Sequence, residues 1–353
     1  MKQSKSWIFV LFVMAAFILG SIAVDIAPAT AGGKVHRWKI QSAYPRGDVS
    51  MELLKSFAKN VKKLTKGTVV VQVFADPELV PGEQLFEATK KGTLDGLHAL
   101  GAMWGGILPI GEVEFGLPYA WKVPGGDKMT VVQTAAALRK FFFDSGFVKL
   151  LREQYATQGL YWLDMHTYGP IFTLATKPIK TCADLKGKKM RMEGSWNDYY
   201  NLLGARGVNL PGMEAYMGLK LGTLDGSQWD VSAITALKWH EVAPYWLRGT
   251  DPDHCFGHIL LNQKSWQALS ADQQKAVAAA AKIYWDELIK LHEGELAKVA
   301  KLVKEGKVKE SWIEPACRKV HEEKALQLWG EIAKRDPAAA KAIDLIKAWR
   351  GMK

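Results

Sequence analysis

The strongest constraint on the fold is an internal repeat at an offset of 130 residues. Residues 81–96 read PGEQLFEATKKGTLDG and residues 211–226 read PGMEAYMGLKLGTLDG, with eight of sixteen positions identical and no gap. Average residue usage gives roughly one chance identity in such a window. The offset is too long for a solenoid, whose repeats span roughly 20–50 residues, so the repeat indicates two halves of similar architecture.

Each copy of the repeat has the pattern of a strand, a helix and a second strand. Apolar segments at residues 69–74 and 207–210 precede the two copies. Within each copy, Pro-Gly opens a one-sided helix, and Gly92 or Gly222 stands where a helix ends in the left-handed conformation. A new apolar segment follows. This order predicts βαβ crossovers, and therefore two α/β lobes with mostly parallel sheets.

A long helix is predicted near the C-terminus. Ser270 and Gln273 form a capping-box pattern, and no proline interrupts the helical composition from Ala271 to about Glu305. At 1.5 Å per residue, a helix of roughly 35 residues is about 52 Å long. Such a helix is longer than a small domain is wide, so we expect it to contact both lobes.

The N-terminus has the pattern of an export signal. Lys2 and Lys5 precede an apolar run at residues 7–24, and the small residues 29–31 offer a cleavage site. We predict a cleaved signal peptide over residues 1–31, with an uncleaved membrane anchor as the alternative. The rest of the chain is then expected to be exported and soluble.

The net charge of the chain limits the classes of partner that are expected. The chain has 47 Lys and Arg against 36 Asp and Glu, a net charge of +11, which favours an anionic partner: nucleic acid, a membrane surface or an acidic small molecule. Export weighs against nucleic acid, and so do the scattered lysines and the lack of an arginine-rich arm. The sequence contains no serine elbow, P-loop or dinucleotide-binding glycine pattern, so no catalytic constellation is predicted.

Two further groups are given structural roles. Cys182, Cys255 and Cys317 allow at most one disulfide, and we expect them to pack in the interior or to stay free. The segment 251–258 carries the potential metal ligands Asp251, Asp253, His254, Cys255 and His258. The proline and the glycine within this segment prevent a regular helix on which these residues would share one face. A metal site is therefore not favoured there.

Candidate binding residues follow from the predicted strands, because ligands of open parallel sheets bind at the carboxyl ends of the strands. Residues 97–104 and 227–230 follow the helices of the two repeat copies, and each segment contains a tryptophan. Residues 189–192 alternate polar and apolar, which places Arg191 near a strand end. Its planar fork suits a carboxylate, although a surface position for Arg191 stays open at this point.

The strand-end region also carries a family resemblance. The run PIKTCADLKGKKMRMEG and the following LPGMEAYMGLKLGTLDGSQWD resemble the signature region of DctP-like substrate-binding proteins of tripartite ATP-independent periplasmic (TRAP) transporters. The similarity extends over nearly the whole exported chain, including TKGTVVVQVFADPELVPG. It implies a two-lobed, periplasmic-binding-protein-like α/β fold with a long helix spanning both lobes. Lobe I would comprise 32–167 plus about 255–295, and lobe II 168–254 plus about 296–353.

The resemblance implies roles for individual residues. Arg191 matches the arginine that grips the ligand carboxylate, and Trp229 matches a ligand-contacting position of the second lobe. In a subgroup that binds 2-oxo or 2-hydroxy acids with a metal ion, an acidic residue stands at the position of Gln228. Asp230 is adjacent, so a ligand-associated calcium or sodium ion is left open, and no other cofactor is expected. A second arginine found in some relatives near Thr173 is missing, which argues against a two-arginine clamp on a dicarboxylate.

Residues of the first lobe indicate the polarity of the part of the ligand that lies beyond its carboxylate. Leu100, Met103 and Trp104 stand where more polar receptors place an acid, which favours a monocarboxylate with an apolar or aromatic body. The alternative is that Met103 and Trp104 are core residues. Tyr168 lies near a predicted cleft edge and is a candidate hydrogen-bond donor to the ligand.

The function expected from the resemblance is that of a periplasmic receptor, not an enzyme. It would capture an organic acid anion through Arg191 and deliver it to a TRAP-type membrane permease. One alternative is a ligand-sensing receptor for a membrane kinase. Another is a secreted metal-dependent enzyme that uses the cluster at residues 254–258.

Overall fold

The structure is a computed structural model that describes residues 34–125, 129–250 and 254–352. The signal peptide predicted over residues 1–31 lies outside the described residues. Among the described residues, no helix combines the length and the apolar character needed to cross a bilayer.

The strands form two mixed sheets, which we call sheet A and sheet B. Across sheet A the strands are β2 (Val69–Phe74), β1 (His36–Ser42), β3 (Gly96–Ala99), β10 (His254–Asn262) and β4 (Leu160–Pro170). Across sheet B they are β11 (Lys309–Trp312), β9 (Tyr245–Arg248), β5 (Phe172–Ala175), β8 (Gly226–Trp229), β6 (Lys189–Arg191) and β7 (Arg206–Val208).

The helices pack against these sheets and against one another. In chain order they are α1 (Val49–Leu64), α2 (Leu85–Lys90), α3 (Ile110–Phe115), α4 (Val131–Asp144), α5 (Phe147–Ala156), α6 (Cys182–Leu185), α7 (Trp196–Leu202), α8 (Gly212–Leu221), α9 (Ser232–Thr235), α10 (Gln263–Gln267), α11 (Ala271–Lys304), α12 (Pro315–Ala333) and α13 (Pro337–Arg350).

The repeat corresponds to two equivalent parallel units. In sheet A, β1 lies between β2 and β3 and is parallel to both. In sheet B, β6 lies between β7 and β8 and is parallel to both. Gly92 and Gly222 end the repeated helices with φ of +78° and +73°, a conformation that glycine adopts without steric cost. The predicted βαβ crossovers are therefore confirmed.

Antiparallel strands complete both sheets and make them mixed. β10 is antiparallel to β3 and β4, and β5 is antiparallel to β8 and β9. Only Ile171 separates β4 of sheet A from β5 of sheet B. The chain thus passes directly from one sheet to the other. Parallel pairing occurs in the two units of the repeat and also between β9 and β11.

The long helix is present as predicted. α11 has 34 residues, and the Ser270 side chain accepts a hydrogen bond from the backbone of Gln273 in a complete capping box. Its N-terminal part, including Ala280 and Tyr284, is buried in a core with β1 and α1. Its Val299 is buried in a second core with β5 and α8. One helix therefore contributes to the cores of both halves.

The cysteines differ from the expectation in part. Cys182 and Cys317 form a disulfide with an Sγ–Sγ distance of 2.09 Å, which joins α6 to α12. The expectation that these two would merely pack or stay free is wrong, because the fold brings together residues 135 positions apart, and spacing alone did not reveal this. Cys255 is buried, as expected.

Candidate functional site

Arg191 lies at the carboxyl end of β6, next to the end of β8. It pairs in register with Ser227, and only 4% of it is exposed. Parallel strands present their carboxyl ends at one edge, which is where ligands of such sheets bind. The structure therefore places the guanidinium in the interior at the edge predicted from the sequence, and the alternative of an exposed surface arginine is wrong.

Three nitrogens of Arg191 already donate hydrogen bonds. Nε donates to the carbonyl of Leu210 at 2.8 Å, and Nη1 donates to the carbonyl of Gln228 at 3.3 Å. Nη2 donates to Oε2 of Glu193 at 2.7 Å, which is a salt bridge. Burial lowers the pKa of Arg191, and the negative charge of Glu193 opposes this shift. The arginine is thus held by two main-chain carbonyls and one carboxylate.

Trp229 lies beside this guanidinium. The guanidinium carbon of Arg191 is 5.0 Å from the centroid of the indole ring, within cation–π range. The other neighbours of the indole are Trp239, at 5.7 Å between ring centroids, and the backbone of Gly212 at the start of α8. The structure therefore brings the predicted residues Arg191 and Trp229 together.

The side chain of Gln228 lies apart from this pair. Gln228 pairs with Thr173 on β5, and alternation along β8 directs its side chain away from the face of Ser227 and Trp229. It lines a small cavity together with Thr173, Tyr200 and Thr250. The space open to a water-sized sphere is about 20 Å³, enough for roughly one water molecule. Only the main-chain carbonyl of Gln228 contacts Arg191.

Asp230 follows Trp229 at the end of β8 and is partly buried. Its Oδ1 accepts hydrogen bonds from the backbone N–H of Ser232 at 2.8 Å and from the Ser232 hydroxyl at 2.5 Å. Burial raises the pKa of Asp230 to about 7, and the charges of Asp48 and Glu295 add to the effect. A cation near this carboxylate would counteract these causes.

Tyr168 of β4 is buried and hydrogen bonds to the hydroxyl of Tyr44. Burial raises the pKa of Tyr44, and the charges of Asp48, Glu193 and Asp230 raise it further. Glu193 and Asp230 follow strands of sheet B, whereas both tyrosines belong to the sheet A half. Carboxylates that follow strands of sheet B therefore act electrostatically on a tyrosine of the sheet A half.

The two predicted residues of the first half differ in exposure. Trp104 is 5% exposed, donates a hydrogen bond from Nε1 to the Tyr155 hydroxyl at 3.2 Å and stacks on His258 at 5.2 Å. These contacts favour the alternative that Trp104 is a core residue. Met103 is 39% exposed. A ligand contact by either side chain stays a prediction.

The histidines of β10 belong to the interior. Nδ1 of His258 is 2.9 Å from Oε1 of the buried Glu114, which also accepts hydrogen bonds from Tyr155 and Trp162. Asp251 and Asp253 lie outside the described residues. Among the residues that the structure does describe, one group of metal-ligand type is compact enough to share an ion: Cys182, Cys317 and His321. Two of these three are joined in the disulfide.

Sequence reasoning missed three contacts around the site. Glu193 was not singled out, although a carboxylate two residues after a strand-end arginine is a local signal for an ion pair. Glu112 of α3 accepts a hydrogen bond from the backbone N–H of Ser195 at 3.0 Å, and Trp196 donates to the carbonyl of Gly116 at 2.8 Å. No periodic pattern in the sequence indicates these contacts between distant segments.

The chain resembles known proteins over most of its length. The family model described as bacterial extracellular solute-binding protein, family 7 (DctP), matches residues 41–336. A monocarboxylate 2-oxoacid-binding periplasmic protein of Nostoc sp. is 26% identical over 259 residues, 69% of this chain and 65% of that protein, just under two thirds of its length. An ectoine-binding periplasmic protein of Halomonas elongata is 27% identical over 260 residues, 73% of this chain and 72% of that protein.

The fold is also similar to solved structures. A TRAP periplasmic solute binding protein from Colwellia psychrerythraea, with bound calcium and pyruvate, has a TM-score of 0.81 at 21% identity and covers 90% of this chain and 95% of that one. The predicted two-lobed fold is therefore confirmed. The matching family consists of solute-binding receptors, so the alternative of a secreted enzyme is wrong. Because the family model matches well over half of the chain, this protein belongs to the bacterial extracellular solute-binding proteins of family 7.

Proposed function

We propose that this protein captures an organic acid anion through Arg191 and delivers it to a TRAP-type membrane permease. The observation that carries the proposal is the buried guanidinium of Arg191 at the carboxyl edge of sheet B, with Trp229 beside it. A buried arginine recognises a carboxylate through two parallel charge-assisted hydrogen bonds. The name of the Nostoc relative, a monocarboxylate 2-oxoacid-binding protein, supports this class of ligand.

The ligand would bind between two lobes built around the two sheets. We propose lobe I as 32–167 plus about 255–295 and lobe II as 168–254 plus about 296–353. The membership of the strands in sheets A and B supports this division. At the C-terminus, α12 packs against α7 while α13 packs against α3 and α5, so the end of the chain contacts both halves.

Closure of the lobes would follow from the differential affinity of the ligand for the two states. A ligand held by Arg191 on one side and by Met103 on the other contacts both lobes only when they are closed. Binding then shifts the equilibrium towards the closed state by the free energy of these added contacts.

A cation would assist the capture of the anion. Asp230 has the donor chemistry that calcium and sodium prefer, and burial raises its pKa to about 7. We propose that Asp230, with the ligand's own carboxylate, holds such an ion. The solved structure from Colwellia psychrerythraea, which contains calcium with pyruvate, supports this pairing of ion and acid. The amide of Gln228 is a weaker candidate, because its side chain lines the cavity beside Thr173.

The site of action would be the periplasm. We propose that residues 1–31 are a signal peptide removed on export. The periplasmic relatives from Nostoc and Halomonas support this location.

The test compares two arginines on neighbouring strands. Native mass spectrometry of protein purified without refolding identifies a retained ligand, and calorimetry with a panel of monocarboxylates, each with and without calcium, measures affinity. Arg191→Ala is expected to reduce affinity at least a hundredfold. Arg206→Ala removes an exposed arginine from β7 and is expected to leave affinity unchanged. Unchanged affinity in Arg191→Ala would overturn the proposal.

A further inference from the structure

We propose that Glu193 is an internal counter-ion that occupies the carboxylate position on Arg191 until a ligand displaces it. This inference rests on the proposed function, because it concerns the same arginine. It makes Glu193 a residue that sets affinity and specificity: the ligand must compete with a carboxylate already supplied by the protein.

One charge-assisted hydrogen bond joins the pair. Nη2 of Arg191 lies 2.7 Å from Oε2 of Glu193. The Arg191 side chain is 4% exposed, whereas that of Glu193 is 29% exposed. Glu193 is therefore the member of the pair that is more accessible to an anion arriving from solution.

The other hydrogen bonds of Arg191 determine which of its nitrogens a ligand can use. A guanidinium offers two edges for a two-point contact, one formed by Nε and Nη2 and the other by Nη1 and Nη2. Nε is bonded to the carbonyl of Leu210 and Nη1 to that of Gln228, and each of the two terminal nitrogens has a second N–H to offer a ligand. Both edges include Nη2, the nitrogen that Glu193 occupies. A ligand carboxylate at either edge therefore meets the negative charge of Glu193, and the repulsion between the two carboxylates favours displacement of Glu193.

The pair also explains how a buried arginine is tolerated in the empty receptor. An uncompensated buried charge is strongly destabilising, and a partner carboxylate removes most of that cost. Capture of a ligand is then an exchange of one carboxylate for another. The net gain in free energy is the difference between two ion pairs, so the resident carboxylate weakens the binding of every simple monocarboxylate.

The position of Glu193 connects this exchange to the contact between the two halves. Gly194 follows with φ of +52°, and a Cβ on it would lie 2.7 Å from the Cβ of Ala102. Ser195 comes next and donates its backbone N–H to Glu112 at 3.0 Å. Glu193 therefore directly precedes a segment that is packed tightly against the sheet A half.

The test uses acetate, the smallest carboxylate, as the probe. Glu193→Gln removes the negative charge of the resident carboxylate, so that Arg191 loses its charged partner. The matched control is Asp198→Asn, which removes the same charge from a 54% exposed side chain whose nearest basic group is Arg335 at 3.7 Å. Thermal unfolding is recorded with increasing sodium acetate, against sodium chloride at equal ionic strength.

The expected result is a chemical rescue confined to one variant. Acetate raises the melting temperature of Glu193→Gln, with half-saturation at least tenfold lower than in the wild type or in Asp198→Asn. The double variant Arg191→Ala with Glu193→Gln loses this response. Acetate curves that coincide in Glu193→Gln and Asp198→Asn would overturn the inference.

The design separates this inference from the proposed function. The acetate response concerns only the Arg191–Glu193 pair and needs no knowledge of the natural ligand. If Arg191→Ala leaves the affinity for the carboxylate panel unchanged, the proposed function fails, whatever acetate does. If Arg191→Ala abolishes binding while Glu193→Gln responds to acetate like Asp198→Asn, only the role of Glu193 fails.

Discussion

Oε2 of Glu112 and the backbone N–H of Ser195 form a hydrogen bond of 3.0 Å that joins α3, which packs on β10 of sheet A, to the segment before α7, which packs on sheet B. Both residues are buried, and burial raises the pKa of the Glu112 carboxyl. An acceptor in this position is costly to remove, because the N–H of Ser195 has no access to water.

Glu112→Ala is therefore expected to lower the free energy of unfolding by about 1–3 kcal/mol, the cost of a buried donor left without a partner. Glu112→Gln keeps an oxygen acceptor and is expected to lose clearly less. Urea unfolding of the three proteins provides the measurement. Equal losses in the two variants would mean that the hydrogen bond contributes nothing beyond packing.

The disulfide between Cys182 and Cys317 closes a loop of 135 residues. A cross-link over such a loop restricts the unfolded chain, and its loss typically costs about 2–5 kcal/mol. We expect dithiothreitol to lower the urea midpoint of the wild type. The variant Cys182→Ala with Cys317→Ala should unfold at the lower midpoint with or without reductant. A wild-type midpoint that is insensitive to reductant, after thiol titration has verified reduction, would contradict this prediction.

Stability is expected to depend on buried histidines at acidic pH. Burial lowers the pKa of His98 to about 3 and those of His254 and His321 to about 4, from an ordinary value near 6.5. Between these values the unfolded chain binds protons that the folded chain excludes. The contribution of each histidine is thus complete above pH 6.5 and falls by about 1.4 kcal/mol per pH unit as the solution is acidified.

Asp230 has the opposite sign, because its raised pKa of about 7 lets the folded chain bind the proton first. The informative quantity is therefore the difference between the wild type and a histidine variant in the slope of the unfolding free energy against pH. In His321→Asn, the unfolding free energy should decrease less steeply between pH 6 and pH 4.5 than in the wild type, by about 1.4 kcal/mol per pH unit. Urea midpoints over this range measure both slopes, and parallel curves would contradict the assignment to His321.

Gly212 and Gly82 are equivalent positions of the repeat with different surroundings. A Cβ on Gly212 would collide with the six-membered ring of Trp229, whereas a Cβ on Gly82 would lie 3.3 Å from Oδ1 of Asp76. Gly212→Ala is expected to displace the indole from Arg191 and to weaken carboxylate binding at least tenfold. Gly82→Ala should leave affinity unchanged. Calorimetry with the carboxylate that the wild type binds best compares the two, and equal affinities would show that the position of Trp229 is unimportant.

Features with a local or periodic signal could be predicted from the sequence. The repeat predicted both parallel units, because glycine at a helix end and the switch from strand to helix are encoded within a few residues. The capping box at Ser270 predicted the start of α11 to the residue. The alternation at residues 189–192 predicted that Arg191 lies at a strand end, and the structure confirms this position.

Features that depend on which distant segments meet could not be predicted in this way. Cys182 meets Cys317 only because α12 returns to the sheet B half. Trp104 looked like a cleft residue from its place after a strand, yet its indole N–H is bonded to Tyr155, 51 residues away.

The long helix α11 constrains any movement between the two halves. Its N-terminal part is anchored under sheet A and its Val299 under sheet B, over a length of about 51 Å. A continuous helix resists bending. Closure of the two halves therefore requires either that α11 bends or that one of its ends shifts within the core in which it is packed. If the helix bends, the strain stored in it favours the return of the two halves to the open arrangement after the ligand has left.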